Sequence, residues 1–218
     1  MNHRKIALWL TLTLLPLIIF SYLYIDIPVG RWAIAHDGTL IDDISVIVGY
    51  FGESVYILVV SALFWIVWRY IKVNRSLALK SQFIFLSVVT TGIGVNIIKL
   101  VFGKSRPTML KSDDEFGFQW FAAIGDHAHV SFPSGHATTA FTLATALTLM
   151  FPRWWPAFYS YAVAISLARV GAWDHYPSDV LAGALFGTLV TLWLYHQDRI
   201  TFKGISKNSS YRQREKKR

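Results

Sequence analysis

The chain has 218 residues, 54% of them hydrophobic and only 16% charged, with a net charge of +8 and no cysteine. One domain fits the length, but the apolar excess excludes an ordinary soluble globule, and the missing cysteines exclude disulfides and thiolate chemistry. A surplus of +8 on a soluble protein would point to nucleic acid; here the basic residues are spread as a bilayer orientation requires, and no nucleic-acid partner is expected.

Residues 6–24 form an uncharged apolar run, long enough at about 1.5 Å per residue to cross a hydrocarbon core of roughly 30 Å. Arg4 and Lys5 precede it as they would a signal peptide, yet the run is too long for a signal core and no small-x-small cleavage site follows. Residues 25–43 mix Ile27, Val29, Trp32 and Ile34 with Arg31 and Asp37, which predicts a short external interfacial helix. Apolar runs at 44–68, 83–102, 137–151, 156–172 and 180–195 bring the spans to six, the fourth and fifth being short.

Residues 103–132 form the long external loop, where Phe116, Phe118, Trp120 and Phe121 stand beside Lys111, Asp113, Asp114 and Glu115. Aromatics at that depth read first as a membrane-interface belt and second as substrate contacts. Gly183 and Gly187 have the small-x-x-x-small spacing that lets helices approach closely. The expected fold is all-α, an integral membrane bundle of six transmembrane helices with a short external interfacial helix, formed by residues 1–196. Residues 197–218, ending in YRQREKKR, are expected to be a disordered basic cytoplasmic tail drawn to anionic headgroups.

With both termini in the cytoplasm, the inner segments collect Arg4, Lys5, Arg69, Lys72, Arg75, Lys80, Arg153 and the basic tail. The outer side receives only Arg31, Lys99, Lys104, Arg106, Lys111 and Arg169, together with nearly all the acids. This is a positive-inside distribution.

Three short blocks carry the chemistry: Lys99-x6-Arg106-Pro107, Pro133-Ser134-Gly135-His136 and Arg169-x5-His175-x3-Asp179. Three cations suit phosphoryl oxygens, and a histidine with a lone pair suits attack on phosphorus. A charged side chain costs about 2.5 to 3.5 kcal/mol at a bilayer centre, so Lys99 near a span end needs either a snorkelling path or a partner. Seven residues is close to two helical turns, so Lys99 and Arg106 can converge, with Gly103 and Pro107 bending the chain into the loop. Pro133 suits a first helical turn, which would present Ser134, Gly135 and His136 at a helix N-terminus that favours anions. Asp179 lies four residues after His175 and can accept from one imidazole nitrogen while the other attacks. Lys104 alone reads as snorkelling. His127 and His129, spaced i, i+2, lack a third ligand, so no metal site is expected.

In order and spacing the blocks resemble the signature of the type 2 phosphatidic acid phosphatase superfamily, K-x6-R-P, P-S-G-H and S-R-x5-H-x3-D, over residues 99–179. Ala168 departs from it, standing where the signature has Ser; this removes a hydroxyl but no charged or nucleophilic group, and activity is expected to survive. The resemblance implies that His175 attacks phosphorus to form a phosphohistidine, oriented by Asp179. It implies that His136 protonates the leaving oxygen and later activates water, while Lys99, Arg106, Ser134, Gly135 and Arg169 hold the phosphoryl oxygens. The expected activity is cofactor-free, metal-independent hydrolysis of a membrane lipid phosphate or pyrophosphate. Undecaprenyl pyrophosphate, phosphatidylglycerol phosphate, phosphatidic acid and lipid A phosphate are the candidates. The expected setting is a bacterial inner membrane with the site on the extracytoplasmic face. Two alternatives stand beside it: a lipid phosphotransferase using the same intermediate, distinguished by free phosphate among the products, and a small transporter, which gives no reason for the joint pattern.

Overall fold

The structure, a computed structural model, describes residues 3–215, with side chains described for 3–197. Helices make up the regular structure of the described residues: α1 (His3–Phe20), α2 (Asp26–Ala35), α3 (Leu40–Tyr50), α4 (Ser54–Ile66), α5 (Arg75–Phe102), α6 (Pro107–Ser112), α7 (Gly135–Met150), α8 (Trp155–Gly171) and α9 (Pro177–Glu215). Lys104 and Phe118 form an isolated β-bridge in the loop between α6 and its neighbours.

Four segments are long and apolar enough to cross a membrane: His3–Ala35, Leu40–Ile71, Arg75–Phe102 and Pro177–Gln197. Helices α7 and α8 have 16 and 17 residues, short of the roughly 20 that a perpendicular span needs. The first segment is longer than residues 6–24, because a π-helical turn at Ser21–Ile25 carries α1 into α2 without a break. The run at 44–68 is interrupted instead of continuous. The chain turns at 51–53, where a Cβ on Gly52 would lie 2.4 Å from Ile165 Cγ2, and α3 packs on α8 while α4 packs on α5. The tail expected over 197–218 lies outside the fully described part of α9.

Small residues determine the packing at the centre. Helix α7 is rich in Ala and Thr, with Ala137, Ala140, Ala144 and Ala146 buried, and it packs on α9, α8 and α5. A Cβ on Gly183 would sit 2.6 Å from the Ser134 carbonyl oxygen, and one on Gly187 would sit 2.4 Å from that of Thr138. The small-residue spacing therefore serves close approach of α9 to α7. Threonine hydroxyls join helices across this core, Thr142 to Thr91 at 3.2 Å and Thr145 to Thr188 at 3.4 Å. The outer faces are apolar, with Leu8, Trp9, Leu12, Leu63, Phe64 and Ile97 exposed, which water would oppose and lipid accepts.

Candidate active site

The C-terminus of α5, the N-terminus of α7 and the connection from α8 to α9 meet at one end of the bundle. There they enclose a cavity of about 250 Å³ whose lining includes Lys99, Arg106, Gly135, His136, Arg169 and His175. The three blocks thus converge. Lys99 and Arg106 reach it differently from two turns of one helix. Gly103 ends α5 in the left-handed region at φ 55°, and its N–H donates to the Lys99 carbonyl at 3.0 Å. A Cβ there would fall 1.9 Å from the Gln119 carbonyl oxygen, so the turn requires glycine. Pro133 precedes the helix instead of opening it: Ser134 is the N-cap, accepting from the Ala137 N–H at 3.4 Å, and α7 starts at Gly135.

The cations are held but not saturated. Lys99 Nζ donates to the Val130 carbonyl. Arg169 pairs with Asp174 at 2.7 Å, and Arg106 approaches the other oxygen of the same carboxylate at 3.8 Å. The Nε atoms of both arginines are buried without a hydrogen-bond partner. Such donors suit an anion with several oxygens.

His175 is buried and sits just before α9, as the position of Pro177 predicts. Burial holds its pKa down at about 3, so the imidazole is neutral and keeps a lone pair. Its Nδ1 lies 3.8 Å from Asp179 Oδ2, beyond hydrogen-bond length, and has no other partner. Asp179 is meanwhile engaged elsewhere. Its Oδ1 accepts from Lys104 Nζ at 2.8 Å, and its Oδ2 accepts from Ser131 Oγ at 2.6 Å and the Tyr176 N–H at 2.8 Å. Of the carboxylate's roughly four acceptor positions three are taken, both of those on Oδ2, the oxygen nearest His175, and the open one is on Oδ1. Ser134 and Asp179 stand behind the cavity wall, joined by the Ser134 N–H donating to the Asp179 carbonyl at 3.0 Å.

Four charged residues at the site went unassigned in the sequence reading. Glu53, in the turn between α3 and α4, lines the cavity with its Oε1 3.2 Å from His136 Nε2. A carboxylate inside a predicted span was the signal for it. Asp174 bridges the arginines, and its place beside His175 in the chain was the hint. Lys104 does not snorkel. It is fully buried, paired with Asp179 and with Asp26 at 2.7 Å, and ringed by aromatic side chains, of which Tyr176 is nearest at 4.6 Å. Asp26 in turn accepts from Ser21 Oγ at 3.0 Å and the Ser178 N–H at 2.9 Å.

The external aromatics divide between the two readings. Phe116 and Phe118 turn inward around Lys104, whereas Trp120 and Phe121 are exposed. His129 joins Asp126 at 2.7 Å and Glu115 at 2.9 Å, which ties the loop together. Among the described residues, no cluster of three or more His, Asp or Glu side chains is arranged to hold a metal ion.

Residues 82–202 match the model of the PAP2 superfamily, and that stretch contains all three blocks. A lipid A 1-phosphatase of Rhizobium etli is 32% identical over 196 residues, covering 84% of this chain and 82% of its own. The chain belongs to the PAP2 superfamily. It is a phosphatase of this superfamily, acting on lipid phosphates, and an integral membrane protein. The crystal structure of Aquifex aeolicus LpxE superposes with a TM-score of 0.58 at 25% identity, covering 78% of this chain and 94% of that one. A transmembrane PAP2 type phosphatidylglycerolphosphate phosphatase from Bacillus subtilis superposes equally well, TM-score 0.58 at 19% identity, over 88% and 96% of the two chains. Among PAP2 features, the usual serine before Arg169 is replaced by Ala168, which is buried and removes no charge from the cavity.

Proposed function

We propose that this PAP2 phosphatase releases phosphate from a membrane lipid through a phosphohistidine on His175, with lipid A bearing a 1-phosphate as the first substrate to test. The observation that carries the reading is the single cavity in which Lys99, Arg106 and Arg169 face a neutral, buried His175, with two arginine Nε donors unpartnered. In the proposed sequence His175 Nε2 attacks phosphorus and the phosphorus–oxygen ester bond breaks. The leaving oxygen takes its proton from His136. A water that returns its proton to His136 then attacks, the phosphorus–nitrogen bond breaks, and inorganic phosphate leaves. Asp179 supports the charge on His175 through Nδ1, and Ser134 and Gly135 place the first turn of α7 toward the phosphoryl oxygens. The preference for lipid A rests on the similarity to the Rhizobium etli lipid A 1-phosphatase.

The fold proposed with this mechanism has six spans. Helices α7 and α8 complete the four longer ones, α2 lies near the outer interface, both termini are cytoplasmic and the cavity opens outward.

The test is phosphate release from detergent micelles containing lipid A, phosphatidylglycerol phosphate, phosphatidic acid or undecaprenyl pyrophosphate, with His175→Ala as the blank. Free phosphate is expected from lipid A at the highest rate, essentially none from His175→Ala, and full activity in EDTA. Substantial turnover by His175→Ala, or strict dependence on added Mg²⁺, would falsify the mechanism.

A further inference from the structure

We infer that Lys104 and Asp26 are positioning residues for the reaction: they form a buried charge lock that orients Asp179 and sets the net charge facing His175. The inference rests on His175 being the nucleophile. Lys104 Nζ touches Asp179 Oδ1 at 2.8 Å, Asp26 Oδ2 at 2.7 Å and Ser178 Oγ at 2.8 Å, and the side chains of Lys104, Asp26 and Asp179 are all 0% exposed. Three fully buried charges at the edge of an active site are costly unless each is paired, and here each is.

Geometry explains why the lock matters to Asp179. Oδ2 already accepts from Ser131 and Tyr176 and must still meet His175 Nδ1 at 3.8 Å. Lys104 pulls on the opposite oxygen and so fixes the rotation of the carboxylate about its Cβ–Cγ bond. Asp26 fixes Lys104 from the other side and is itself anchored by Ser21 Oγ and the Ser178 N–H. The N-terminal helices therefore hold the catalytic carboxylate through one ammonium group.

Charge explains the choice of groups. When His175 Nε2 bonds to phosphorus, its ring keeps the Nδ1 proton and becomes cationic. Lys104, Asp26 and Asp179 together carry one net negative charge against it. A neutral Lys–Asp179 pair alone would supply none, and two buried carboxylates without Lys104 would repel each other.

This arrangement predicts charge compensation. Lys104→Met is close in shape, and methionine sulfur sits well among the rings of Tyr22, Phe116, Phe118 and Tyr176. In purified protein, Lys104→Met and Asp26→Asn should each lower kcat about 10- to 100-fold, as loss of an outer partner of an active group does, with KM changed by less than about threefold. The double variant Lys104→Met/Asp26→Asn keeps one net negative charge and should recover about tenfold in kcat over Lys104→Met. Trapping the phosphoenzyme counts active sites, so kcat is expressed per folded site. A merely structural lock would leave kcat per trapped site unchanged and would make the double variant worse than either single one. Either result, or wild-type kcat in Asp26→Asn, overturns the inference. Should Lys104→Met not fold, Asp26→Asn and the double variant decide: a double variant at least as active as Asp26→Asn supports the lock, and a less active one overturns it. Turnover by His175→Ala would instead defeat the phosphohistidine reading, whatever these variants do.

Discussion

The two histidines differ in surroundings, and that difference divides their roles. His175 is enclosed, and burial holds its pKa well below the ordinary histidine value, so its lone pair is available throughout that range. His136 borders the same cavity; burial and the Arg169 charge push its pKa below the ordinary histidine value, and Glu53, 3.2 Å from its Nε2, opposes that shift and stabilises the imidazolium that the acid role needs. His136→Ala should therefore lower kcat/KM, which reports the leaving-group step and not the later water step that His136 also serves, by roughly 10² to 10⁴ on an alkyl phosphate, and much less on p-nitrophenyl phosphate, whose leaving group needs no proton. In the wild type, kcat/KM should fall on the alkaline side as His136 loses its proton, and that limb should vanish in the variant. Protonation of the nucleophile should not reduce kcat/KM in the ordinary histidine range, because the folded pKa of His175 lies far below it. Equal losses on both substrates would remove His136 from the acid role. Spacing made Lys99, Arg106, His136, Arg169 and His175 legible as one site, since each block carries its own residue types at fixed intervals. Glu53, Asp26 and Lys104 were not legible in that way, because their partners lie far away in sequence and only the tertiary fold brings them together.

Periodicity and length made the helices legible as elements, but not where each one is interrupted. A run of apolar residues reads the same whether the helix continues, as α1 does into α2, or turns, as the chain does at 51–53; the deciding contact, Gly52 against Ile165, is between distant segments. The glycine spacing in α9 was legible because close approach requires small residues wherever the partner lies. Two glycine substitutions test that contact against a looser one. A Cβ on Gly183 meets backbone, the Ser134 carbonyl at 2.6 Å and the Thr138 nitrogen at 3.1 Å, whereas a Cβ on Gly94 meets the end of the Phe186 ring at 2.6 Å. Alanine brings a helix-propensity gain of about 1 kcal/mol in both cases. In Gly94→Ala the ring can swing aside, so thermal stability in detergent should change little. In Gly183→Ala, α9 and α7 must separate, with an overpacking penalty of about 1 to 3 kcal/mol. Its Tm should drop, and kcat should drop with it, because the Ser134–Asp179 backbone bond lies in the same contact. Equal behaviour of the two variants would show that the α7–α9 approach is not what aligns the site.

At the scale of the whole molecule, the direction in which the cavity opens determines which lipid leaflet it serves. Helix α5 has 28 residues, about 42 Å at 1.5 Å per residue, with Arg75 at its start and Lys99 near its end. Those ends lie on opposite sides of a hydrocarbon core of roughly 30 Å. Arg69, Lys72 and Arg75 cluster at the end away from the cavity, which the proposed orientation, following the positive-inside preference, puts in the cytoplasm. The proposed orientation puts the loop 103–132, which carries Lys104 and Ser131 into the site, outside. Because the natural chain has no cysteine, a single introduced thiol reports its own side without background. Val73 and Trp120 are 75% and 64% exposed at opposite ends of the bundle, so Val73→Cys and Trp120→Cys should both react readily once reached. In spheroplasts, a membrane-impermeant maleimide is expected to label Trp120→Cys at once and Val73→Cys only after lysis. The reverse pattern would place the cavity on the cytoplasmic face and would exclude lipid headgroups of the outer leaflet as substrates, while leaving the chemistry of His175 and its three cations unchanged.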